Sequence, residues 1–529
     1  MTRDGRSYDY VIVGAGPAGC VLANRLSADD DTEVLLLEAG TPDEEREIGI
    51  PAAFSELFRT GVDWNYHTEP QSALHDRELY WPRGKTLGGS SSINAMIYVR
   101  GQPEDYDRWA ELGNEGWGYE DVLPYFKRAE HNERGPSEHH GIGGPRNVAD
   151  LRSPNDLSEA FVAAGRAVGL PHNEDFNAGD QAGVGFYQVT QEDGRRHSAA
   201  DAYLKPVLDR PNLTAVTGAR VTRVRFDGER AVGVEYARDD GDGSPATVDA
   251  AEEVLLSAGA INSPQLLMLS GVGPADYLAD HDIEVVADLP GVGRNLQDHL
   301  QVGVNYECEK PISLADADSI RNLLTFFALK RGPLTSNVAE AGGFATVTED
   351  ADRPEIQFHF GPSYFVEHGF ENPDGHGFSL GALRLRPDSR GRITLESADP
   401  FDDPAIDPQY LTEGDDLEVL LEGVKLVRRI LQAAPFDEYR GEEVLPGSDV
   451  RSDAELIEYI RETAETLYHP VGTCKMGDDE LAVVDDRLRV RGVDGLRVVD
   501  ASVMPTITSG NTDAPTTTIA ERAADFVRD

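Results

Sequence analysis

Three glycines open the chemistry of this chain. Gly14, Gly16 and Gly19 stand in G-x-G-x-x-G spacing directly after an apolar run, Tyr10 to Val13. In that pattern the first glycine permits a tight turn. The second lets backbone approach a pyrophosphate, and the third lets a helix pack on a strand. Pro17 to Leu26 reads as the helix, with its N-terminal amides facing a diphosphate. A second strand, Glu33 to Leu37, ends at Glu38, a carboxylate placed to bind ribose hydroxyls. Strand, glycines, helix, strand and acid in this order mark a dinucleotide site at Gly14, Ala15, Gly16, Gly19, Glu38 and Ala39. The fingerprint alone does not separate FAD from NAD.

Further stretches carry chemistry. In PRGKTLGGSSSINAMIYVRG, Pro82 to Gly101, two glycines and three serines leave little bulk beside a row of backbone amides. That suits close approach to a flat ring or a phosphate, and the apolar segment Ala95 to Val99 anchors the loop. Val254 to Leu256 reads as a buried strand running into Ser257-Ala258-Gly259-Ala260, followed by a helix starting near Asn262-Ser263-Pro264. His469 stands in Tyr468-His469-Pro470-Val471-Gly472-Thr473, and a histidine exchanges protons near neutral pH. Gly495 to Val499 is another strand, ending at Asp500-Ala501. Asn511-Thr512-Asp513-Ala514-Pro515 then opens a final helix to about Val527, where Asn, Thr and Asp are ordinary capping residues.

The Pro82–Gly101 stretch, read with the N-terminal fingerprint, resembles the glucose–methanol–choline (GMC) oxidoreductases, which are FAD-dependent alcohol oxidases and dehydrogenases. INSPQLLMLSGVGP and HPVGT match further signatures of that family. The resemblance implies that Ser90, Asn94, Ala95 and Ile97 line the flavin and that Val221 contacts its adenine side. It also implies that Ala258 and Gly259 touch the cofactor, that Asp500 and Ala501 reach its ribityl–phosphate region, and that Thr512 joins the cofactor-binding set. His469 is then the general base. Asn511 is the second active-site residue, as in the choline-oxidising branch, and also contacts the cofactor. Some members attach FAD through a histidine at the position held here by Ile93, so the flavin is expected to be non-covalent. The implied reaction takes an alcohol to an aldehyde or ketone, with oxygen, a quinone or another carrier as electron acceptor. A flavin-containing lyase of the hydroxynitrile lyase type and an NAD-dependent reductase are the alternatives.

These residues need elements to hold them. The fold that the resemblance implies is α/β: a doubly wound, Rossmann-like FAD-binding domain with an α+β substrate-binding domain built on an antiparallel sheet. The first is expected from 1–155, 195–305 and 464–529, the second from 156–194 and 306–463. Leu213 to Glu235 reads as a hairpin or meander turning at Asp227-Gly228. Amphipathic helices are expected over Asn155–Leu170 and Asp415–Leu431. Glu340 is expected to be solvated, and His139-His140 reads as an exposed loop, so no metal site is expected.

Composition narrows the classes. At 529 residues several domains are expected. No apolar run approaches the roughly 20 residues of a membrane span, and the N-terminus lacks an apolar leader core. Cys20, Cys308 and Cys474 form no C-x-x-C pair. A cytoplasmic enzyme is expected. Asp plus Glu number 95 against 48 Lys plus Arg, a net charge of -47, and only seven residues are Lys. Nucleic acid is excluded as a partner, because phosphate needs a basic face. Such self-repulsion is tolerable where salt screens it, so the charge reads as halophilic adaptation to a salt-rich cytoplasm.

Overall fold

A computed structural model describes residues 8–238 and 245–529. The N-terminal reading at residues 1–7 and the acidic run at 239–242 lie outside the described residues.

Two seven-stranded sheets organise the molecule. The first runs Leu213–Val216, Val34–Leu37, Tyr8–Val13, Ala246–Leu256, Arg230–Arg238, Ala219–Asp227, with Leu496–Val498 also on Ala246–Leu256. Val34–Leu37 is wholly buried, as unbroken apolar runs are when a parallel sheet is covered on both faces. Pairing is parallel from Leu213–Val216 through Ala246–Leu256 and on to Leu496–Val498. The register aligns the carboxyl ends: Val13 lies opposite both Leu37 and Leu256, and Leu256 opposite Val498. The chain leaves those four strands at Gly14, Glu38, Ser257 and Val499, so the sequence-flagged residues converge at one edge, where ligands bind in such sheets. Helices Pro17–Leu26 and Asp513–Arg528 pack together beside the sheet, tied by Arg25 on Glu521 at 2.7 Å.

The expected meander divides here. Ala219–Asp227 and Arg230–Arg238 form an antiparallel hairpin with Gly228 at φ +62°. Leu213–Val216 instead pairs parallel with Val34–Leu37 at the far edge, because a four-residue apolar strand is completed equally well by a parallel neighbour.

The second sheet is antiparallel, in the order Arg440–Leu445, Leu300–Cys308, Gly377–Arg384, Ile356–Gly361, Ala341–Ala345, Gly183–Phe186, with Glu465–Thr466 also on Leu300–Cys308. Its three central strands, Leu300–Cys308, Gly377–Arg384 and Ile356–Gly361, send alternate residues to opposite faces. Val302, Val304, Phe358, Phe360, Phe378, Leu380 and Ala382 join one apolar core with Leu157, Phe161, Val419, Leu420 and Val424 of helices Asp156–Ala167 and Asp416–Leu431. The opposite face, carrying Gln301, Gly303, Asn305, His359, Gly361, Ser379 and Gly381, looks into a cavity. Among the described residues no helix is long and apolar enough to cross a membrane.

Candidate active site

The cavity, about 540 Å³, lies between the carboxyl edge of the parallel sheet and the open face of the antiparallel one. Gly14 sits at φ +97°, and a Cβ there would stand 2.6 Å from the Ser257 carbonyl oxygen. A Cβ on Gly19 would stand 1.9 Å from the Gly14 carbonyl oxygen, so helix and turn touch. On Gly16 it would meet nothing within 4 Å, and the same holds for Gly259 at φ +85°; both line the cavity. Helix Pro17–Leu26 has no side-chain cap, which leaves its first amides available to an anion. Glu38 accepts the Ala15 and Gly40 amides at 2.7 and 2.8 Å, and burial raises its pKa. The glycine/serine loop closes over this turn: a Cβ on Gly89 would stand 2.7 Å from the Gly16 Cα. Ser91 and Ser92 donate back to the Gly88 and Leu87 carbonyls at 2.6 and 2.7 Å, which holds the loop in shape. Arg196 donates to the Asn94 Oδ1 at 2.9 Å.

Most of the sequence-flagged residues share this wall. Gly14, Gly16, Glu38, Ala39, Ser90, Asn94, Ala95, Ile97, Val221, Ala258, Gly259, Asp500, Ala501, His469, Asn511 and Thr512 all line the cavity, as does Ile93. Ala15 and Gly19 stand behind it, Ala15 fully buried and Gly19 against the Gly14 turn. A bare glycine turn, a buried acid and a flat loop are together the complement of a diphosphate, a ribose and a planar ring.

At the far end of the cavity a directed hydrogen-bond chain runs through His469. His299 is neutral, because burial pushes its pKa down to about 4. Its Nε2 lies 2.9 Å from the Leu385 carbonyl oxygen and must donate there. Nδ1 of His299 is therefore a lone pair, and the His469 Nδ1 at 2.9 Å must carry the proton. That leaves the His469 Nε2 as an acceptor on the cavity side. From the other end, the Tyr187 hydroxyl donates to the Phe358 carbonyl at 2.6 Å and accepts from the Gln357 Nε2 at 3.1 Å. Gln357 also donates to the Asn511 Oδ1 at 3.1 Å, which turns the Asn511 Nδ2 toward the His469 Nε2 at 3.2 Å. Both ends of the chain rest on backbone carbonyls, so tautomer and amide orientation are fixed by the fold. The His469 backbone amide donates to Asp298 at 2.7 Å, and Asp298 is held by Thr466 and Tyr410. Desolvation, then the nearby His299, His359 and Arg83, holds His469 well below the usual histidine range. His359 lines the cavity beside Asn511, with its pKa lowered to about 3 by burial. Its Nε2 is buried with no partner of good geometry.

His299, His359, Gln357, Tyr187 and Asp298 escaped the sequence reading. The available signal was Gln357 and His359 alternating with Ile356, Phe358 and Phe360: two polar residues on one face of a strand that is otherwise apolar. Asn511 is not a helix cap; Thr512 is the N-cap residue of helix Asp513–Arg528, without a side-chain cap bond, and the Asn511 amide is used in the chain above. Two expectations are corrected. Glu340 is not solvated: it is buried away from the cavity wall and accepts from Ser336, Ser158 and the Asn155 amide at 2.6, 2.7 and 2.8 Å, joining a loop to the start of helix Asp156–Ala167. His140 is not in an exposed loop: it is buried, with Nδ1 3.0 Å from Glu130 and Nε2 2.8 Å from Asp175, while Arg100 meets Glu130 at 2.7 Å. Among the described residues the histidine pair joins no group that could hold a metal.

A dinucleotide cradle opening onto a directed histidine defines a flavin or nicotinamide oxidoreductase, and comparison with known proteins decides between them. The GMC oxidoreductase N-terminal domain matches residues 8–301 and the C-terminal domain matches 387–520. The chain is 49% identical to the alcohol dehydrogenase [acceptor] of Pseudomonas putida, over 98% of this chain and 95% of the relative. It is 46% identical to the mitochondrial choline dehydrogenase of Mus musculus, over 98% and 89%. A solved FAD-dependent oxidoreductase from Chaetomium thermophilum superimposes with a TM-score of 0.89 at 28% identity, over 99% of both chains. The chain belongs to the GMC oxidoreductase family, and its cofactor is FAD.

Proposed function

We propose that this enzyme oxidises an uncharged alcohol to the corresponding aldehyde or ketone. The observation that carries this reading is the hydrogen-bond chain that makes the His469 Nε2 an acceptor at the cavity wall, where it accepts from the Asn511 Nδ2 at 3.2 Å. The alcohol hydroxyl takes the place of the Asn511 N–H on the His469 Nε2, His469 takes its proton, and the released Asn511 Nδ2–H donates to the alcohol oxygen as negative charge develops on it. FAD, when bound, supplies the acceptor for the carbinol hydride. The electrons pass on to oxygen, a quinone or another carrier. An uncharged substrate is favoured over choline because the cavity-lining side chains beside the His469 ring, those of Asn511 and His359, include no carboxylate. Of the acids on the sheet-side wall, Glu465 is taken by Arg77 and His368, and Glu367 and Glu462 are exposed. Ile93, buried on the wall, cannot bond to a flavin, which supports non-covalent attachment. No observation favours the lyase alternative.

The test is anaerobic. Purified enzyme is mixed with a panel of alcohols, and the visible flavin band is followed. Bleaching by at least one uncharged alcohol, faster than by choline, is the expected result. A band that no alcohol bleaches overturns the proposal.

A further inference from the structure

Glycine inside a strand weakens it and marks either a packing demand or the close approach of a ligand. The antiparallel sheet contains both kinds. A Cβ on Gly342 would stand 2.1 Å from the Phe358 carbonyl oxygen, on Gly343 2.3 Å from that of Gly183, and on Gly185 2.0 Å from that of Asn173. Packing requires those three. Gly303 is different. A Cβ there would meet only the Asn305 Nδ2, at 3.7 Å, and its φ lies outside the region that favours glycine. On Gly381 the nearest atom is the Gln301 Oε1 at 3.0 Å, the mobile end of a long side chain. Neither the backbone nor the protein interior asks for glycine at these positions.

Register explains where the empty space leads. Gly303 lies directly opposite Gly381, and Gly381 directly opposite His359. All three line the cavity. Two strand spacings make this row about 10 Å wide. It begins at the His359 ring, beside Asn511; no side chain rises from Gly381 or Gly303, and the end of the Gln301 side chain reaches over Gly381. The next row along the same face is polar: Ser379 lies opposite Asn305 and donates to it.

We propose that Gly303 and Gly381 are the floor on which the tail of the alcohol lies. These two positions then set the length and bulk of the alcohol accepted, and the substrate class is an alcohol with an extended, uncharged tail. This inference rests on the alcohol-oxidising reading above. The His359 end of the floor meets the carbinol, and the Asn305–Ser379 pair borders the floor along one side.

The experiment uses FAD-loaded enzyme, wild type and the variants Gly303→Ala and Gly303→Leu, with unbranched primary alcohols from ethanol to decanol. Two quantities are read for each alcohol: kcat/KM from anaerobic flavin reduction, and Kd from the shift of the flavin spectrum on binding. The expected result is that the ratio of kcat/KM for octanol to that for ethanol falls at least about tenfold in Gly303→Leu, the scale of a pocket that loses room for a methylene. Gly303→Ala should lie between it and wild type, and the Kd values should follow the same order. A ratio unchanged by either variant overturns the floor. So does failure of Gly303→Ala to fold with FAD, which would show that packing requires the glycine. If alcohols bind but never bleach the flavin, the alcohol-oxidising reading fails, and the Kd series alone decides the floor. If wild type binds no member of the series, both fail.

Discussion

What surrounds His469 fits it for the base role proposed above. Its pKa is depressed, chiefly by burial, so the neutral form persists through neutral pH. Protonation, and with it loss of base function, comes only when pH falls below the depressed value. The acid limb of kcat/KM should therefore lie well below the ordinary histidine value of about 6.5, and a half-loss of activity near 6.5 would contradict this assignment. His469→Ala should slow flavin reduction by about 10² to 10⁴, the usual weight of a general base. It should retain FAD, since the glycine turn and Glu38 lie at the other end of the cavity. Asn511→Ala removes one donor and should cost less; stopped-flow reduction ranks the two. His469 and Asn511 were legible because each stands in a short motif. His299, His359 and Gln357 were not, because they reach the site only through the register of three strands paired across long sequence separations. Local pattern shows that a strand alternates, but not which face meets a cavity.

Helix Gly259–Leu269 shows the same limit at the scale of an element. Asn262-Ser263-Pro264 reads as a helix start, since proline suits a first turn. The helix in fact begins at Gly259, and Pro264 lies inside it. A proline there leaves the carbonyl four residues earlier, that of Ala260, without its amide partner. The hydroxyl of Thr473 donates to that carbonyl at 2.6 Å, from a fully buried position. A residue more than two hundred positions away thus replaces the missing bond and joins the His469 segment to the first turn of helix Gly259–Leu269. Thr473→Val should leave the Ala260 carbonyl buried and unpaired, at a cost of about 1–3 kcal/mol. The measurement is thermal unfolding: Thr473→Val should melt below wild type, and Thr473→Ser should recover most of the loss. Elements with plain local signals were read closely: Pro17–Leu26 agrees at both ends, and the expected Asp415–Leu431 helix is observed over Asp416–Leu431. Its Asn155 counterpart caps its helix by accepting the Leu157 amide at 3.0 Å.

Over the whole molecule the charge of -47 is the dominant fact. Basic residues are so scarce that several serve two acids at once. Lys205 meets Asp43 and Asp201, each at 2.7 Å, Lys425 meets Glu422 and Asp453, each at 2.8 Å, and Arg128 meets Glu521 and Asp525. Many of the remaining carboxylates are exposed, including the run Asp29-Asp30-Asp31, and these repel one another in the folded chain more than in an expanded one. At 0.01 M salt the Debye length is about 30 Å, comparable to a domain, so repulsion sums over the surface. At 1 M it is about 3 Å, shorter than the spacing of most surface charges. The folded state should therefore gain stability steadily with salt, and the gain should come from screening. Melting temperature should climb from dilute buffer to molar KCl, with NaCl giving a similar curve. Choline chloride, whose cation coordinates carboxylates poorly, should match them if screening is the cause. A flat melting profile in KCl would remove the salt-adaptation reading altogether. A rise with KCl but not with choline chloride would assign the effect to potassium bound at particular carboxylates.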